Sequence, residues 1–260
     1  HGAAGGLQGL GGTSTGAPAR ADDQRLLRLP ALRARPQQIV QLLARHRRHP
    51  TRQQTTVTEH GEGSSHIPRP EAEGDDALFE YSRQFDRFDP SGGRLTVSEA
   101  EIDAAFGQAD PEVVEALTLA RDRIAAHHSR QKPADDIYED AIGVRLGSRW
   151  TAVESAGLYV PGGTASYPSS VLMNAIPAKV AGVGRLVVVT PTPKGQLNPL
   201  VLAAAHIAGI DEIWRVGGAQ AIAALAYGTQ RIKRVDVITG PGNDYVAEAK
   251  RQLFGVVGID

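Results

Sequence analysis

The sequence predicts an α/β protein: a Rossmann-like parallel sheet flanked by helices in the C-terminal part, an incomplete second α/β domain before it, and a leading segment without the means to fold. Three observations predict it. β-branched runs and helical runs alternate from residue 185 to residue 254, glycine-rich turns separate strand from helix, and the composition changes abruptly near residue 70. Strand and helix in alternation with short connections imply parallel strands and right-handed crossovers, with helices packed on the sheet.

Residues 1–70 carry ten Arg, no Lys, four acids and five of the eight His, with nine Gly, six Pro and no aromatic residue. One apolar cluster, Ile39, Val40, Leu42 and Leu43, permits a helix over 37–47 and nothing more. So little apolar area cannot offset the entropy of ordering the chain, and the segment is expected to be disordered or non-native. The arginines invite a nucleic-acid or membrane reading. Basic arms of that kind mix Lys with Arg and interleave aromatics for stacking, and neither occurs here, so no nucleic-acid partner is expected. Apolar stretches fall well short of the roughly 20 residues that span a bilayer, so no membrane partner is expected and a soluble, cytoplasmic protein is. Without Cys there is no disulfide, thiolate nucleophile or Cys-ligated metal. The chain begins at His1 and its single Met is Met173, which reads as a fragment or a chain with wrong ends.

Residues 71–157 form the helical and hairpin part of the incomplete first domain. Ala77, Leu78, Tyr81, Phe85 and Phe88 keep helical spacing up to the turn Asp89-Pro90-Ser91-Gly92-Gly93. Thr96-Val97-Ser98-Glu99 has the pattern of a capping box and opens a second helix. Asp110-Pro111-Glu112 supplies an N-cap, a proline at the first helical position and an acid in the first turn, followed by the apolar face Val113, Val114, Leu117, Ala120 and Ile124. Val144–Trp150 and Ala152–Val160 then read as two strands that pair as a hairpin.

Residues 158–260 form the sheet domain. Arg185–Thr190, Glu212–Val216 and Val235–Thr239 read as strands; Leu197–Ala208, Ala219–Tyr227 and Asn243–Phe254 read as helices. Small molecules bind outside the carboxyl ends of such strands, and three glycine turns fall there. Tyr159-Val160-Pro161-Gly162-Gly163 precedes one helix, Gly217-Gly218-Ala219-Gln220 opens a second, and Gly240-Pro241-Gly242-Asn243 opens a third. Glycines let the backbone approach a ligand, and helix N-termini offer free N–H donors to a phosphate. The polar neighbours Tyr159, Gln220 and Asn243 suit a base, ribose hydroxyls or a carboxamide. No G-x-G-x-x-G fingerprint with a following acid occurs, so a dinucleotide site here is not of the usual Rossmann kind.

The strings YVPGGTASYPSSVLMNAIPAKVAGV, EIWRVGGAQAIAALAYGT and VDVITGPGNDYVAEAKRQ resemble the histidinol dehydrogenase family, with the match running from about Glu71 to Asp260. That resemblance implies NAD-dependent oxidation of L-histidinol to L-histidine through the aldehyde, the last two steps of histidine biosynthesis. It also implies one zinc ion per site, a homodimer at full length, and NAD contacts at Tyr159, Gln220 and Asn243. The family's zinc ligands, its Glu-His acid–base pair and its substrate-binding Ser lie downstream of the stretch matching Val256–Asp260. No catalytic or metal-ligating residue is therefore assigned within 1–260, and a truncated, inactive enzyme is expected. The alternative is a non-catalytic nucleotide-binding or dimerising remnant.

The remaining polar candidates have structural readings. His127 and His128 stand at a helix C-terminus and His206 lies within a helix, without metal-ligand spacing. Asp135, Asp136, Glu139 and Asp140 read as a solvated acidic loop, Glu248 and Lys250 as surface charges, and Met173, Trp150 and Trp214 as core.

Overall fold

The computed structural model describes residues 44–45, 70–162 and 167–260. Its centre is a five-stranded parallel sheet. The helix expected over 37–47 lies outside the described residues except at β1 (Ala44–Arg45), which is extended and pairs antiparallel with β4 (Thr151–Ala152).

Three helices lead up to a short hairpin. After α1 (Pro70–Tyr81) and a wide turn over Ser82–Asp86, the chain enters α2 (Glu99–Gln108) and α3 (Pro111–Ser129). Asp110 caps α3 through its carboxylate, which accepts from the Glu112 N–H at 2.9 Å, as Asp110-Pro111 predicts. The capping box of α2 sits two residues later than expected: Ser98, not Thr96, accepts from the Glu101 N–H, and Glu101 returns the bond to the Ser98 N–H. Thr96 is held extended by pairing with Trp214, since the Val97 N–H donates to the Ile213 carbonyl and the Arg215 N–H to the Leu95 carbonyl. Tertiary pairing thus selected between two overlapping capping patterns.

The hairpin also differs from expectation. β2 (Asp136–Glu139) pairs antiparallel with β3 (Arg145–Ser148), and the acids expected to be merely solvated shape it. Asp140 accepts from the Ile142 and Val144 N–H groups to close the turn, and Asp135 accepts from the Trp150 N–H. The segment expected to pair with β3 instead supplies β5 (Ser155–Tyr159), buried at every position at the middle of the main sheet. A strand buried on both faces belongs in a parallel sheet, not at the rim of a hairpin.

From β5 the chain alternates as the sequence predicts: α4 (Pro168–Ala181), β6 (Arg185–Thr190), α5 (Pro199–Ala208), β7 (Glu212–Arg215), α6 (Gly218–Tyr227), β8 (Val237–Thr239), α7 (Asp244–Gln252) and β9 (Gly258–Ile259). The strand order is β7-β6-β5-β8-β9. Chain direction across the sheet therefore reverses between β5 and β8, and a crevice opens at such a point. Side chains alternate between faces with period two. Leu158, Val188, Ile213 and Val237 enter one core with α4 and α5, joined by Val97 and Ile102. Tyr159, Val189, Trp214 and Ile238 enter the other with α6 and α7, joined by Leu78 and Leu95.

His128 gives the fold a pH dependence. It is 2% exposed, and its Nδ1 lies 2.8 Å from the Gln131 Oε1. Burial lowers its pKa from the ordinary 6.5, the Gln131 bond works against that, and His127 adds repulsion. A lowered folded-state pKa means that the contribution is complete above 6.5 and is lost as pH falls from there towards the folded value. The urea midpoint should drop between pH 7 and pH 5, and drop less in His128→Gln; equal slopes would contradict the assignment.

Candidate functional site

All five parallel strands end on one edge of the sheet, and the three glycine turns lie there because each follows one of those strands. β5 leads into Val160-Pro161-Gly162, β7 into Val216-Gly217-Gly218, and β8 into Gly240-Pro241-Gly242-Asn243. The first and third flank the point of reversal between β5 and β8. Close approach explains the glycines. A Cβ on Gly162 would stand 2.5 Å from the Pro191 carbonyl, one on Gly217 2.3 Å from the Pro191 ring, and one on Gly240 2.2 Å from the Tyr159 carbonyl. Gly218 (φ +67°) and Gly240 (φ +115°) also adopt backbone conformations that L side chains resist.

Tyr159 joins the turns. The Gly218 N–H at the mouth of α6 donates to its hydroxyl at 3.1 Å, while its carbonyl packs against Gly240. Burial pushes the phenol pKa above the ordinary 10, partly countered by the Gly218 N–H and reinforced by the charge of Asp86, so the hydroxyl keeps its proton. Gln220, buried on the first turn of α6, lies with its amide against Gly218, and among the described residues that amide makes no hydrogen bond. Asn243 is exposed and caps α7, its Oδ1 accepting from the Val246 N–H at 3.1 Å, which leaves its NH₂ group free to donate.

Other polar groups at this edge escaped the sequence reading. Thr192, just past β6, and Thr239, the last residue of β8, bury hydroxyls that find no partner among the described residues, as does one oxygen of Asp86. Burial raises the Asp86 pKa, and the Thr192 N–H bonded to it pulls the other way. Asp86 belongs to a turn 73 residues before Tyr159 in sequence, so no local spacing signals it. Lys250, which the sequence predicts to be a surface charge, is buried: its Nζ donates to the Gly240 carbonyl at 2.6 Å and to Asp260 at 2.5 Å. The signal was present, since Val246, Ala249 and Lys250 form the buried i, i+3, i+4 stripe of α7. Glu248 remains on the surface, paired with Arg251.

Among the described residues, close glycine turns, free helix N–H groups, an unpaired amide and orphaned hydroxyls at one strand edge fit a dinucleotide. Zinc fits differently. Among the described residues no three of His, Asp or Glu gather to hold a metal. His128 bonds to Gln131, and His206 stacks on Phe106 at 4.0 Å and meets Asp103 at 3.0 Å. This donor set does not fit the ion, and no chemistry is routed through it.

Sheet order and glycine-lined edge define a doubly wound α/β protein, the class in which ligands bind at the point of reversal. The histidinol dehydrogenase family model matches residues 52–260, reaching back into the arginine-rich segment expected to be disordered or non-native. The chain is 68% identical over 194 residues to a histidinol dehydrogenase of Brucella abortus, covering 75% of this chain and 45% of that protein. It is 63% identical over 187 residues to one from Rhodospirillum rubrum, covering 72% and 43%. The crystal structure of histidinol dehydrogenase from Elizabethkingia anophelis matches with a TM-score of 0.70 at 37% identity, over 74% of this chain and 44% of that one. The chain belongs to the histidinol dehydrogenase family and spans under half the length of the curated relatives it matches. No described helix is long and apolar enough to cross a membrane.

Proposed function

We propose that this chain holds NAD for an oxidoreductase of histidine biosynthesis that carries L-histidinol through the aldehyde to L-histidine, and that by itself it binds NAD without oxidising histidinol. The observation that carries the reading is the convergence of three glycine turns on the carboxyl edge of a sheet whose order reverses between β5 and β8. NAD, when bound, accepts hydride at its nicotinamide ring. The residues of this chain bind and orient. Gln220 offers its unpaired amide to a ribose hydroxyl or carboxamide, and Asn243 offers its NH₂ while its oxygen stays committed to the α7 cap. Tyr159 packs beneath the turns and accepts the first N–H of α6, that of Gly218, through its hydroxyl, so that the N–H groups of Ala219 and Gln220 are left to face the ligand. Metal polarisation and proton transfer fall to groups outside the described residues, and the working enzyme is a homodimer acting on a small molecule.

Calorimetric titration with NAD tests this directly. The chain should bind NAD, and Gln220→Ala should bind it about tenfold more weakly, the loss of about 1.4 kcal/mol expected for one well-made hydrogen bond. An unchanged affinity in Gln220→Ala would remove that residue from the site; NADH formation from histidinol by the parent chain would overturn the reading that it only binds.

A further inference from the structure

The pair formed by Lys250 and Asp260 holds both backbone polar groups of one residue, Gly240, in the turn between β8 and α7. The Gly240 N–H donates to one oxygen of Asp260 at 2.9 Å, and the Gly240 carbonyl accepts from the Lys250 Nζ at 2.6 Å. The ring closes through the ion pair itself, Nζ to Oδ1 at 2.5 Å, with the two side chains only 11% and 17% exposed. Lys250 comes from the buried stripe of α7 and Asp260 directly follows β9, so segments on two sides of the turn grip it. Gly240 needs gripping. It holds φ +115° against the Tyr159 carbonyl, and glycine there is the residue with the widest choice of other conformations.

Burying two charges is a poor way to gain stability, because desolvation consumes most of the attraction, whereas removing one partner leaves a buried charge uncompensated. A buried pair whose remaining hydrogen bonds go to the N–H and carbonyl of a single glycine is better explained by what it holds still. We infer that Lys250 and Asp260 are positioning residues: they pin the Gly240–Asn243 turn in the one conformation that admits the dinucleotide. The inference rests on the NAD reading above for its ligand, but not for its mechanics. When the competent conformation is occupied for only a fraction of the time, apparent affinity falls by that fraction.

The test is the double substitution Lys250→Met with Asp260→Leu in the full chain, read by amide exchange at Gly240, NAD affinity and thermal midpoint. Removing both charges together should leave the midpoint close to that of the parent, while Lys250→Met alone should lower it. Gly240 exchange should quicken, and the NAD dissociation constant should rise about tenfold, as for a turn that is competent about a tenth of the time. Asp260→Asn, which keeps an acceptor for the Gly240 N–H but loses the charge, should fall between parent and double variant in affinity, and decides the matter if the double variant does not fold. Unchanged Gly240 exchange and affinity in a folded variant would overturn the inference. A parent chain that binds no NAD would instead overturn the cofactor reading, and Gly240 exchange would still decide whether the pair pins the turn.

Discussion

Gly240→Ala is expected to abolish measurable NAD binding, weakening it by about a hundredfold or more, while the chain still folds. The new methyl group would stand 2.2 Å from the Tyr159 carbonyl, a backbone atom of the central strand that cannot swing aside. Relief requires the turn to move, and a displacement of about 1 Å in a binding constellation suffices for a loss of this size. The positive φ adds strain of about 1–3 kcal/mol. Gly107→Ala is the control: its Cβ would enter open space within α2, and alanine suits a helix better than glycine does. NAD titration and urea unfolding of the two variants would check the pair. Full NAD affinity in Gly240→Ala would mean that the ligand does not approach this turn.

Leu158→Ala should cost about 3 kcal/mol of unfolding free energy, within the range for a fully buried leucine, and lower the thermal midpoint by roughly 6–12 °C. Leu158 has no exposed surface and belongs to the core that joins the central strand to α4 and α5. Alanine there leaves a cavity beneath a sheet strand paired on both sides, where little collapse is available. The urea midpoint should fall without a change in slope, and NAD affinity should stay within about threefold, because Leu158 lies inside the sheet and not at its edge. Leu119→Ala, at a position 58% exposed on α3, should change stability by less than about 0.5 kcal/mol. A small loss at Leu158 would contradict the two-sided core.

Much of this was legible in the sequence because the local signals agreed with the tertiary structure. Arg185–Thr190 reads as a strand and is one; Asp110-Pro111 reads as a helix start and is one. Alternating strands and helices imply a parallel sheet, a parallel sheet puts the glycine turns on one edge, and the polar residues beside those glycines supply the site candidates. Contacts between distant segments were not legible. Residues 95–97 pair with the outer strand β7 and thereby move a helix cap from Thr96 to Ser98. Ser155–Tyr159 looked able to finish a hairpin, and only the pairing with β6 and β8 shows that burial on both faces claims it for the sheet. Lys250 misled because lysine is usually exposed; here it has a carboxylate and a carbonyl waiting inside. Asp86 and the two orphaned threonine hydroxyls reach the edge from segments far apart in the chain.

The central claim is that this edge holds NAD. Amide hydrogen exchange of the chain with and without saturating NAD tests it residue by residue. Slowed exchange concentrated at 159–162, 217–220 and 240–243 is the predicted result; unchanged exchange at all three turns, or protection confined to other parts of the chain, would contradict it.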